Sequence, residues 1–124
     1  MKTAKSHTIL IIEPDAQFRE ELYNFLLAAG YEQVTATDSL TRVLEPIRHA
    51  AYDIILAAAA APGAGGLQVA QDIAAMSPTT KTILMINAED QGAWQQRTAQ
   101  VIGVHFLLKM HFVYNVLYLL ADCA

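Results

Sequence analysis

Tyr52-Asp53-Ile54-Ile55-Leu56 runs into Ala57-Ala58-Ala59-Ala60-Ala61 and then into Pro62-Gly63-Ala64-Gly65-Gly66, and this stretch decides the fold. Residues 53–57 read as a short strand of the fully buried type, apolar without alternation, as in a sheet covered on both faces. The proline and glycines that follow end it in a loop. In an α/β protein, ligands sit and chemistry is placed beyond the carboxyl ends of central strands, where loops vary over a rigid sheet. This loop offers no side chain for acid–base, nucleophilic or metal chemistry. The stretch therefore predicts an α/β domain whose expected site is empty, and a function in protein interaction.

Outward from this strand the chain alternates between two patterns. Residues 8–12 are a β-rich apolar run, and Phe18, Leu22, Phe25, Leu26 and Ala29 then recur at helical spacing. Asp15 is expected to cap that helix by accepting backbone N–H bonds, and Gly30 supplies the left-handed residue that ends it. A second strand is predicted over 33–37. Asp38 or Ser39 then caps a helix with apolar Leu40, Val43, Leu44 and Ile47, kinked or shortened by Pro46. After the strand at 53–57, Leu67, Ala70, Ile73 and Ala74 mark a third helix that stops before Pro78. A fourth strand is read over 81–87, a polar helix over 93–102, a fifth strand over 104–108 and a fifth helix over 112–121. Five strands alternating with five helices require right-handed crossovers and a doubly wound, five-stranded parallel sheet. One domain is expected over 1–124, with 1–7 as an N-terminal tail.

Composition narrows the function. The hydrophobic content of 54% and charged content of 16% suit a packed globular core and exclude disorder. The net charge is −4 and no run of Lys or Arg exists, so neither a nucleic-acid backbone nor an anionic membrane finds an electrostatic footprint. Residues 1–7 are polar and lead into too short an apolar run for a secretory signal or a membrane span. A cytoplasmic location is expected, and a single cysteine, Cys123, agrees with a reducing compartment.

Three segments together resemble a known family. Leu10-Ile11-Ile12-Glu13-Pro14-Asp15, Tyr52-Asp53-Ile54-Ile55-Leu56 with Pro62-Gly63 and Gly66-Leu67, and Phe106-Leu107-Leu108-Lys109 are similar to the receiver domain of two-component response regulators. The resemblance spans 8–120 and implies the flavodoxin-like strand order 2-1-3-4-5. It also implies a site. In the family an acidic pair ends the first strand and holds Mg²⁺, an aspartate ends the third strand and accepts a phosphoryl group, and a Ser or Thr and a Lys end the fourth and fifth.

Carried over residue by residue, the acidic pair falls on Glu13 and Pro14, the phosphoacceptor on Ala58, the hydroxyl on Asn87 and the lysine on Lys109. Met110 stands where the family places a proline. The resemblance thus implies a vestigial phosphorylation pocket, a degenerate or pseudo-receiver. Mg²⁺ needs several oxygen ligands, and here the acceptor carboxylate and one of the pair are missing, so no metal and no cofactor are expected. Without a carboxylate at position 58, no aspartyl phosphate forms at the family's site. His7, His49, His105 and His111 have no ligand spacing, and the Gly63–Gly66 segment lacks the Lys-Ser/Thr of a phosphate loop.

The positive signal is the fifth helix. Over 112–121 only Asn115 is strongly polar, whereas a surface helix normally carries one apolar stripe and one charged face. Val113, Val116, Leu117 and Leu120 can face the sheet, which leaves Phe112, Tyr114, Tyr118 and Leu119 as interface residues. The expected function is a phosphorylation-independent signalling module that is no enzyme and that meets a protein partner, or a second copy, through this face. The alternative is a phosphoacceptor receiver domain with altered site residues.

Overall fold

The computed structural model describes residues 6–49, 51–59, 68–87 and 104–108. Thr8–Ile12 (β1), Gln33–Thr37 (β2), Ile54–Ala58 (β3), Lys81–Ile86 (β4) and Val104–Leu108 (β5) form one parallel sheet in the order β2-β1-β3-β4-β5. The order reverses at β1, which places a crevice between the carboxyl ends of β1 and β3.

Two layers of core explain the continuous apolar strands. On one face Ile9, Ile11, Ile54, Leu56, Ile83 and Met85 pack with Leu22 and Leu26 of α1 (Ala16–Ala28). On the other, Leu10, Ile12, Ile55, Leu84 and Ile86 meet Val43, Ile47 and, from α3 (Gln68–Met76), Ala70 and Ile73. Successive residues of β1 and β3 are needed on opposite faces, so neither strand can alternate with polar residues.

Local chemistry sets the element ends. Asp15 caps α1 as expected: its Oδ1 accepts the N–H groups of Gln17 at 3.0 Å and Phe18 at 3.3 Å. Gly30 closes the helix with φ 99°, a value open to glycine at little cost. Asp15→Ala is expected to lower stability by about 1 kcal/mol, read as a fall in urea midpoint at unchanged m.

The third strand, the second helix and the fourth strand differ in their bounds from the reading of the sequence. The third strand runs over Ile54–Ala58, one residue later than expected at each end, and Asp53 just before it is bonded to Thr8 through side chain and backbone. Its Oδ2 accepts the Thr8 N–H at 2.9 Å, and its own N–H reaches Thr8 O at 2.9 Å. Ser39, the alternative to Asp38, is the cap that forms, accepting the Thr41 N–H at 3.2 Å. It opens a 3₁₀ turn at Leu40–Val43, and a five-residue α2 follows at Leu44–Arg48. Pro46 accounts for the break. A continuous α-helix would need its missing N–H to bond the Arg42 carbonyl, whereas within the first turn of a new helix no such bond is required.

The fourth strand ends at Ile86, where its pairing with Leu108 stops, so Asn87 lies just past it. Leu67 and the helices read over 93–102 and 112–121 lie outside the described residues. Among the described residues no helix is long and apolar enough to cross a membrane.

Candidate functional site

The carboxyl edge of the sheet gathers the first group of candidate residues. Ile12 pairs with Ala57, so Glu13 and Ala58 are the next residues on neighbouring strands. Ala58 pairs with Met85, and the Met85 carbonyl accepts the Ala59 N–H at 2.9 Å, which continues the ladder toward Asn87. Glu13, Ala58 and Asn87 thus converge on one rim, with Pro14 beside them. Lys109 follows the last residue of β5 but lies outside the described residues, as do Phe112, Tyr114, Tyr118 and Leu119.

Glu13 is the buried member, 2% exposed, while Pro14 and Asn87 are exposed and Ala58 is half-buried. The Glu13 backbone N–H continues the sheet by donating to Thr37 O at 2.9 Å, and its Oε2 accepts the Asp15 N–H at 3.2 Å. Its carboxylate is therefore turned in part toward ordering its own loop. Asp15 is likewise occupied with capping α1.

Arg19 is a residue that reading the sequence missed. Its Nη1 donates to Glu13 O at 2.7 Å and reaches Pro14 O at 3.5 Å, fastening the first turn of α1 across the loop from β1. A cation one turn into a helix that follows Glu-Pro-Asp was the available signal. Hydrogen bonds from a charged donor are the stronger kind, so the clamp holds Glu13 and Pro14 in place.

The donor set does not fit a hard cation. Mg²⁺ takes near-octahedral oxygen ligation, usually from one or two carboxylates with water and phosphate. Pro14 and Ala58 supply no side-chain oxygen, and one oxygen of Glu13 is engaged by the Asp15 N–H. Among the described residues no cluster of His, Cys, Asp and Glu suited to a metal occurs.

The response regulator receiver domain matches residues 9–113. The chain belongs to that family. The receiver domain is also similar to solved structures. With a chemotaxis protein of Vibrio cholerae, CheY4, it shares 17% identity at a TM-score of 0.75, over 96% of this chain and 99% of that one. A response regulator receiver protein of Sinorhizobium medicae gives 20% identity and a TM-score of 0.73, over 95% and 94%. A protein described as pilus assembly-related, from Burkholderia pseudomallei, gives 20% and 0.69, over 100% and 96%. At these identities the likenesses carry the fold. No curated protein matches the chain.

Proposed function

We propose that this receiver domain is a phosphorylation-independent signalling and regulatory module that acts by protein–protein contact through the face of residues 112–121. The observation that carries the reading is Ala58, a methyl group at the end of β3 beside Glu13, where the resemblance places the family's phosphoacceptor. A methyl group cannot attack a phosphoryl donor. Pro14 in place of the second acid and Asn87 in place of the hydroxyl support the same conclusion, because Pro14 offers a metal no side-chain oxygen and the Asn87 amide hydrogen-bonds but is no rotating hydroxyl.

No reaction is assigned to the domain, and neither nucleic acid nor membrane is its partner. Its output is constitutive presentation of Phe112, Tyr114, Tyr118 and Leu119 to a protein partner or a second copy, in the cytoplasm. Large aromatic side chains are the usual anchors of such contacts.

Treatment with a small-molecule phosphodonor and Mg²⁺ is expected to leave the intact mass and the sedimentation coefficient unchanged. Tyr118→Glu is expected to weaken the contact about tenfold or more, since loss of an aromatic anchor commonly costs that much. A stable phosphate adduct on the unmodified chain overturns the proposal.

A further inference from the structure

A groove of about 440 Å³ lies open between α1 and β2. Val34 and Ala36 pack on the α1 side of the sheet and line it, together with Ala16, the half-buried Tyr23 and the exposed Glu20. The charge of this region is one-sided. Arg19, the cation among the lining residues, donates its Nη1 to Glu13 O at 2.7 Å and is committed to the loop, and Arg42 is held by Asp38 at 3.2 Å. Glu20 in the groove and Glu32, next to the first residue of β2, form no ion pair among the described residues.

The groove runs beside a sheet edge, since among the described residues no strand pairs with the outer side of β2. Thr37 O accepts the Glu13 N–H, so Gln33, Thr35 and Thr37 turn their backbone groups to β1, and Val34 and Ala36 turn theirs outward. Such an edge accepts any extended segment, and the groove with its charges chooses among them.

We infer that edge and groove together bind an extended, basic segment of a partner protein, which adds a strand to β2 and lays a Lys or Arg side chain in the groove. Backbone hydrogen bonds to Val34 and Ala36 give affinity without sequence preference, and the groove supplies the preference. Alternate residues of an added strand stand on the α1 side, in line with Val34 and Ala36, so one in two meets the groove. A basic side chain suits these walls along its length. Its methylene stem packs on Ala16, Val34 and Ala36, and its charge is met by the Tyr23 ring and the Glu20 carboxylate. A second copy of β2 offers no cation, and it would bring another Glu20 and Glu32 to a contact that already holds these anions. The contact uses none of residues 112–121.

Fluorescence anisotropy of the full chain with a labelled heptapeptide that alternates lysine with valine is the test. Binding is expected, and two matched peptides separate its sources. Glutamate in place of lysine reverses the charge, whereas N-methylation of the backbone amides removes the donors and keeps the charge; each is expected to weaken binding about tenfold or more. Glu20→Lys, on the exposed side of α1, should weaken the lysine peptide as much and leave the far-UV circular dichroism unchanged. The bound lysine peptide should slow hydrogen exchange at the Val34 and Ala36 amides. No binding of that peptide at up to about 1 mM, equal binding of its N-methylated form, or equal binding by Glu20→Lys overturns the inference. So does protection of the Val34 and Ala36 amides that rises with protein concentration without peptide, which would mean that a second copy covers the edge. None of these results bears on the proposed absence of phosphorylation.

Discussion

Leu56→Ala should lower the unfolding free energy by about 2–5 kcal/mol, a large share of the roughly 5–15 kcal/mol that holds a domain of this size together. Leu56 is fully buried in the central strand β3, flanked by Ile11 on β1 and Ile83 on β4, and packed in the same cluster as Leu22 and Leu26 of α1. Truncation leaves a cavity walled on both sides by strands that cannot collapse into it without breaking their ladders, so the cost belongs in the upper part of that range. Leu27, on the outer side of the same helix and 40% exposed, is the control. Leu27→Ala should move stability by no more than about 0.5 kcal/mol. Urea unfolding of the two variants checks both, and equal losses would mean that the burial assigned to β3 is wrong.

That burial was legible because it is written in residue type. β1, β2 and β5 were read with their observed bounds, since each is a run of strand-forming residues bounded by polar or turn residues. Asp53 misled the reading of β3 by one residue. Its carboxylate turns back to Thr8, forty-five residues earlier, and a bond across that separation leaves no local trace. Pro46 was recognised as a disruption, but where the chain would break depended on the carbonyl of Arg42 and on which helix would claim the proline's first-turn position. The cap at Asp15 was legible because donor and acceptor are two and three residues apart.

The candidate site divides in the same way. That Glu13, Ala58 and Asn87 end neighbouring strands follows once the strand order is granted, and the resemblance implied that order. That Glu13 is buried, that its carboxylate accepts from Asp15, and that Arg19 clamps the loop carbonyls all depend on how β1 turns into α1. The open edge of β2 was not legible either. Nothing in Gln33-Val34-Thr35-Ala36-Thr37 says whether a strand pairs on one side or two, and only the register of β1 against Thr37 sorts its backbone groups into inward and outward sets.

Installing carboxylates at positions 14 and 58 should give the chain the phosphoryl chemistry that the resemblance places at this site. In the Pro14→Asp, Ala58→Asp variant the introduced groups join Glu13 at adjacent strand ends, giving the oxygen donors that Mg²⁺ requires. A carboxylate oxygen at position 58 can then attack the phosphorus of a small acyl-phosphate donor, breaking the bond to the donor's carboxylate, which departs as the leaving group. The expected result is a base-labile phosphate adduct, visible by intact mass in the double variant and absent from the parent. Ala58→Asp alone should react far more slowly, because without the second acid at position 14 the metal site has fewer oxygen donors. Stability gives a second readout that does not depend on reaction. Position 58 is half-buried beside the buried Glu13, so a new anion there should destabilise the metal-free fold by about 1–3 kcal/mol through like-charge repulsion and desolvation. Mg²⁺ binds the folded form preferentially and should return part of that loss, raising Tm as its concentration rises, while leaving the parent's Tm unmoved. A double variant that is destabilised, is rescued by Mg²⁺ and still takes no phosphate would place the remaining defect at Asn87, whose amide cannot act as the family's hydroxyl. A parent whose Tm rises steeply with Mg²⁺ would mean instead that Glu13 already belongs to a working cation site.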